Sequence, residues 1–210
     1  MLGKLFNTRR SYKKLKRQVE ARNLASVIRG QEIDLVIDVG ANVGHYTLRM
    51  SELAGPTGRV IAIEPVPETF ALLAANVVLA PFPNVTLLNV AASDTTQLAG
   101  MAIPTFDTGL KNYYQASLVP TASALRVLTV ALDALGLPQR VSVVKIDAEG
   151  HDHVVLRGME ALLRRDHPAL IVETDSPEIS GLLQGMGYQA EHLPESPNVL
   201  FRHAPALNRA

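Results

Sequence analysis

Apolar and polar positions alternate along this chain between short runs and helical stripes. Leu35–Gly40 is a short apolar run ending in glycine, and His45–Leu53 follows with Tyr46, Met50 and Leu53 on one helical face. Gly55–Gly58 reads as a turn, Arg59–Glu64 as a second strand, and Pro67–Ala80 as a second helix with Phe70, Leu73 and Val77 as its buried stripe. Pro65 and Pro67 suit the approach to that helix. Val85–Ala92 is a third strand. Between Thr95 and Pro138 the pattern loosens, with Pro104, Gly109 and Pro120 separating short strands and a helical turn at Leu132–Leu135. Regularity returns with a strand at Ser142–Asp147, a helix near Asp152–Arg165, a strand at Ala169–Thr174 and a shorter helix at Glu178–Met186. Asp152 suits the start of the longer helix, and Arg164 and Arg165 its negative end. Tyr188–Leu193 and Asn198–His203 flank Pro194–Pro197 as a terminal hairpin.

Strands separated by helices predict an α/β fold: a doubly wound, mostly parallel sheet with right-handed crossovers. Two strands of a hairpin cannot both run parallel, so one edge of the sheet is expected to be antiparallel. Sheets of this kind bind ligands at the carboxyl ends of their strands. The expected organisation is a single domain over residues 1–210, with a basic, helical N-terminal arm at about residues 1–30.

Composition changes this picture in three ways. The chain has 210 residues, 47% of them hydrophobic, enough for a sizeable core and against wholesale disorder. Its net charge of zero hides an asymmetry, because residues 1–29 hold nine Lys and Arg and one acid, Glu20. The arm reads as a solvated helix on the domain edge, or as a surface for anionic lipid or nucleic acid. Cysteine is absent, which removes disulfide scaffolds, thiolate metal sites and cysteine nucleophiles. No apolar run approaches the ~20 residues of a membrane span, and no signal-peptide stretch follows the basic start. A cytoplasmic protein is expected.

Candidate chemistry gathers at the strand ends. Val36-Ile-Asp-Val-Gly-Ala-Asn-Val-Gly44 is a strand that turns on glycine into a helix. Gly40 and Gly44 let the backbone turn tightly and approach a ligand, while Asp38 accepts hydrogen bonds from the turn or the ligand. The dinucleotide pattern G-x-G-x-x-G is missing, which speaks against a hydride-transferring dehydrogenase. Glu64 ends the second strand, where a carboxylate can accept from both hydroxyls of a ribose. Ala91-Ala-Ser-Asp94 offers small residues for a flat purine, with Asp94 as acceptor for its amino group. Asp147, Glu149 and His151 fall where the fourth strand meets its helix, and Glu173 at the end of the fifth. If those strands pair, Asp147 and Glu173 share a divalent cation or one of them serves as a base. His45, His153, His167, His192 and His203 lack metal-like spacing and read as ordinary surface or core residues.

Together Val36–Gly44, Ile61–Pro65, Asn89–Asp94, Leu128–Leu135, Val144–Gly158 and Leu170–Glu173 resemble the FkbM-type, S-adenosylmethionine-dependent methyltransferases. Ile146-Asp-Ala-Glu-Gly150 followed by Val155-Leu-Arg-Gly158 is the most diagnostic stretch. The resemblance implies a seven-stranded Rossmann-like sheet whose last strand is antiparallel. It implies methyl transfer to a hydroxyl of a sugar or specialised metabolite. Asp38, Gly40, Asn42 and Gly44 would hold the methionine part of the cofactor, Glu64 its ribose and Asp94 its adenine. Asp147, Glu149, His151 and Glu173 are the catalytic candidates, alone or with a divalent cation. Tyr113, Tyr114 and Ser117 in the irregular stretch are candidates for the acceptor wall. An RNA or other N-methyltransferase and an inactive cofactor-binding module are the competing readings. The basic arm favours the first of these, although nucleic acid fits less well than a small hydroxyl acceptor.

Overall fold

The structure, a computed structural model, describes residues 18–119 and 125–204. The arm up to Arg17, Pro120 and the side chain of Tyr114 lie outside the described residues. A helix over residues 18–28, here α1, leads into β1 (Leu35–Val39), α2 (His45–Ala54), β2 (Arg59–Ile63), α3 (Pro67–Val77) and β3 (Val85–Leu88). Four short strands follow: β4 (Ala91–Ser93), β5 (Gln97–Ala102), β6 (Ser117–Val119) and β7 (Leu125–Ala131). The chain then runs through β8 (Val141–Ile146), α4 (Asp152–Arg157), α5 (Glu160–Asp166), β9 (Ala169–Glu173), α6 (Pro177–Gly185), β10 (Tyr188–His192) and β11 (Asn198–His203).

Seven strands form the main sheet in the order β10-β11-β9-β8-β1-β2-β3. All run parallel except β11, which is antiparallel to both β9 and β10. The antiparallel pairing lies at the β10 edge, as the hairpin suggested, with β11 inserted between β10 and β9. Helices cover both faces, so the central strands are buried throughout and read as continuous apolar runs. On one face Ile37, Ile63, Val144, Ile146 and Leu170 pack with Leu156, Met159 and Leu163. On the other, Leu24, Val27 and Ile28 of α1 pack with Val36, Val143, Ile171 and Leu200. Helix α1 thus packs into the core on the same face as α2. Among the described residues no helix is long and apolar enough to cross a membrane.

Two expected elements are each divided. The strand expected over Val85–Ala92 breaks at Asn89, whose side-chain amide donates to the carbonyls of Glu64 (2.8 Å) and Pro65 (3.1 Å). Beyond that break β4 leaves the main sheet and pairs with β7 in a second sheet, β4-β7-β5-β6. The helix expected over Asp152–Arg165 breaks after Arg157. Asp133, from the turn after β7, accepts from the amides of Ala161 and Leu162, at 2.9 Å each, and so starts α5 from a distance.

Gly158, between α4 and α5, lies against the backbone of β4. A Cβ there would stand 1.8 Å from the Ser93 carbonyl oxygen. Gly158→Ala should lower the melting temperature by about 2–12 °C, from an overpacking cost of ~1–3 kcal/mol at ~2–4 °C per kcal/mol in a chain of this size. Scanning calorimetry reads it, and an unchanged transition would show that this contact yields freely.

Candidate functional site

At the carboxyl ends of β1, β2 and β8 the structure opens into a cleft of about 620 Å³, including its solvent-facing mouth. Val39, Gly40, Asn42, Glu64, Asp147, Glu149 and His151 line it from the strand ends and the loops that follow them. The rest of the lining is apolar: Val66, Ala91, Ala92, Met101 and Leu118, with Tyr113 and Ala116. The second sheet supplies Ala91, Ala92, Met101 and Leu118 of that lining.

The turn after β1 is shaped by protein contacts. Gly40 has φ +72°, and a Cβ on it would lie 1.9 Å from the Asp147 carbonyl oxygen. Its lack of a side chain brings the ends of β1 and β8 together. Asn42 takes a left-handed conformation (φ 49°), and its Oδ1 accepts from the Val43 amide at 2.8 Å. Glu64 is 5% exposed, and its carboxylate accepts from the amides of Asn42 (2.9 Å) and Val66 (3.0 Å). Burial pushes this carboxyl above its usual range, against the pull of those two amides. A carboxylate has about four acceptor positions, so roughly two remain for a ligand.

Under the turn lies a charged cluster that the sequence reading missed. Lys145 points from β8 into the protein, 2% exposed, with Nζ 3.0 Å from Asp147 Oδ2 and 4.0 Å from Asp38 Oδ1. It donates to the Gly40 carbonyl at 3.4 Å and stands 5.0 Å from the centre of the Tyr46 ring. Burial would pull its pKa down, but Asp147 and Asp38 outweigh it, and the pKa is raised. Asp38 is wholly buried: Oδ2 accepts from the Thr47 hydroxyl at 2.6 Å, while Oδ1 accepts no hydrogen bond. Burial raises its pKa too, opposed by Lys145. Among the described residues no group of three or more His, Cys, Asp or Glu is placed to hold a metal ion. The positive charge that the paired acids call for is supplied here by an ammonium.

The loop from Asp147 to His151 gives the cleft three titratable side chains, Asp147, Glu149 and His151. Asp152 accepts from the amides of Ala148 (2.9 Å) and Gly150 (3.2 Å), so it braces this loop where helix capping was expected. The brace holds Glu149 at φ 49°, a left-handed conformation that costs a side-chain-bearing residue ~1 kcal/mol or more. Partial desolvation first, and the nearby Asp147, Glu173 and Asp152 carboxylates next, push the Glu149 carboxyl up to about 7. His151 Nε2 is 3.1 Å from Ser93 Oγ, and its pKa is lowered, chiefly by burial and then by His153.

Residues 38–190 match the methyltransferase FkbM domain family. The chain belongs to that family. It is also 31% identical, over 137 residues, to the hexuronic acid methyltransferase AglP of Haloferax volcanii, a match covering 64% of this chain and 53% of that protein. The chain spans about half the length of that relative. Among solved structures it resembles the FkbM methyltransferase of Methylobacillus flagellatus, with a TM-score of 0.62 at 15% identity over 85% of this chain and 45% of that one. It also resembles Aeropyrum pernix fibrillarin, solved with S-adenosyl-L-methionine bound, with a TM-score of 0.51 at 16% identity over 82% of this chain and 67% of that one. At these identities the structural likeness speaks for the fold alone.

Within this FkbM domain the expected site residues separate into three groups. Gly40, Asn42, Glu64, Asp147, Glu149 and His151 line the cleft. Asp38 and Gly44 lie behind it: Asp38 is sealed among Thr47 and Lys145, and Gly44 makes room for Leu73, whose Cδ1 would be 2.8 Å from a Cβ. In this structure their contacts are with the turn and its neighbours. Asp94 and Glu173 stand outside the lining. Asp94 faces an adjoining depression and pairs with Arg157 at 3.3 Å. Glu173 ends β9 opposite Asn198 of β11, from where its charge bears on Glu149 and Lys145. Of the expected acceptor wall, Tyr113 reaches the cleft, and Ser117 sits in β6 opposite Ala102.

Proposed function

We propose that this FkbM-family domain transfers the methyl group of S-adenosylmethionine to a hydroxyl oxygen of a sugar or related metabolite. One observation carries the reading: a single cleft combines the acids Asp147 and Glu149, a buried carboxylate with spare acceptor positions, Glu64, and an apolar lining from Val66, Ala91, Ala92, Met101 and Leu118. Those properties fit a molecule with a cationic amino-acid end, a ribose diol and a flat base. Glu64 would accept from the ribose hydroxyls, the Ala91–Ala92 backbone and Val66 would flank the base, and the Gly40 carbonyl and Asp147 would meet the ammonium. The bound cofactor supplies an electrophilic methyl group on a sulfonium. The domain aligns an acceptor oxygen with that group and takes the oxygen's proton, which is the harder part for a sugar hydroxyl. Glu149 would receive that proton. Its position in the cleft wall and its raised pKa suit it to a base working near neutral pH.

The hexuronic acid named for the Haloferax relative favours a sugar acceptor over RNA. Incubation with methyl-labelled cofactor and a panel of uronic acids, neutral sugars, flavonoid-type phenols and RNA should label a sugar, with and without chelator. Label in RNA alone would overturn the acceptor class. A chelator-sensitive rate would replace the side-chain base with a metal-assisted one. Cofactor binding without turnover of any acceptor would favour the inactive-module reading.

A further inference from the structure

We propose that Lys145 is the positioning residue of this site: it ties the glycine turn after β1 to the acidic end of β8 and so fixes the Asp147 carboxylate that meets the cofactor. The proposal rests on the cofactor reading of the cleft. Lys145 is the sole charged residue in the strand Val141–Ile146. An ammonium stripped of water is costly unless its partners hold it well. Its partners come from separate segments: Gly40 O and Asp38 from β1 and its turn, the Tyr46 ring from α2, and Asp147 Oδ2 from the end of β8. Removing the ammonium would leave Asp38 buried with no neighbouring cation and would free Asp147 to turn away. Lys145 does not itself line the cleft, so it acts through Asp147.

The same charge reaches the rim. Glu149 is faced by Asp147 and Lys145 from β8 and its loop, by Asp152 from α4 and by Glu173 from β9. Lys145 is the cation in that set, and it holds the titration of Glu149 lower than the acids alone would place it.

Two measurements on the whole chain test this. In the free protein, the Glu149 titration followed by carboxyl-carbon NMR should move to higher pH in Lys145→Met and return toward wild type in Lys145→Arg. By calorimetry, S-adenosylhomocysteine should bind at least ~10-fold more weakly to Lys145→Met, with part of the loss recovered in Lys145→Arg. The double variant with Asp147→Asn should bind more weakly than Asp147→Asn alone by less than the factor Lys145→Met costs in the wild type, because the two changes share one of the lysine's ties. If Lys145→Met does not fold, Lys145→Gln loses the charge, keeps a donor for the Gly40 carbonyl and gives the same readouts. A folded, charge-lacking variant whose cofactor affinity matches wild type would overturn the proposal; a merely structural lysine would lower the melting temperature and leave that affinity unchanged. Wild-type protein that binds no S-adenosylhomocysteine would overturn the cofactor reading instead. The titration needs no cofactor, and a Glu149 midpoint unmoved in Lys145→Met would overturn the reach of Lys145 to the rim.

Discussion

Glu64→Ala should weaken S-adenosylhomocysteine binding by about 100-fold or more, measured by calorimetry. A hydrogen bond to a charged group contributes ~1.5–3 kcal/mol, and two of them to a ribose diol give ~3–6 kcal/mol, where each 1.4 kcal/mol is tenfold. Part of the loss will come from the protein. Glu64 also receives the Asn42 and Val66 amides, so alanine leaves two buried donors unpaired and loosens the turn beside the ligand. Glu64→Gln separates the two effects. Its single carbonyl oxygen can keep one amide bond, and its NH2 group faces donors it cannot accept from. Binding to the glutamine variant should therefore fall close to that of alanine while the melting temperature recovers. Affinity within threefold of wild type in the alanine variant would remove the ribose from this carboxylate and the cofactor from this cleft.

Glu149→Gln should lower kcat/KM by ~100- to 10,000-fold, the usual contribution of a positioned base. In the wild type, kcat/KM should rise with pH through about 7, where the Glu149 carboxyl in the free enzyme loses its proton. The variant should lose that rising limb. Stability should respond in the opposite sense. The folded-state pKa is raised from 4.5 to about 7, so the folded chain keeps a proton that the unfolded chain has released. The resulting stabilisation is complete below about 4.5 and is lost as pH rises through about 7. Glutamine carries no charge at any pH, so the variant should melt higher than wild type at pH 8 and close to it at pH 4. A variant that keeps both its rate and its pH limb would move the base role to His151 or Asp147.

Alternation of strands and helices was legible because glycine and proline bound the apolar runs, and because fully covered strands such as Leu35–Val39 are apolar at nearly every position. The cleft was legible for a related reason: in such sheets the strand ends converge, so acids at the ends of separate runs meet. Asp94 and Glu173 show the limit of that argument. Each lies at or just beyond a strand end, yet Asp94 belongs to a strand that has left the main sheet, and Glu173 stands opposite β11. Lys145 escaped notice because a single charge in an apolar run reads as a solvated edge. Its burial depends on register: Asp38 and Lys145 are direct neighbours across β1 and β8. A lysine in a strand with no other charge, one strand away from a buried aspartate, was the signal. The roles of Gly40 and Gly158 were hidden for a similar reason, since what presses on them, the Asp147 and Ser93 carbonyls, comes from more than 60 positions away in the chain.

The placement of β11 bears on how the protein is made. A sheet whose antiparallel strand sits between β9 and β10 cannot be completed in the order of synthesis. Until residues 198–203 have left the ribosome, β9 presents an open edge and β10 has no neighbour to pair with. Strand β11 closes two gaps at once, pairing with β9 on one side and β10 on the other. It also brings Asn198 to Tyr46, beside Lys145, so the charged cluster behind the cleft rests against the inserted strand.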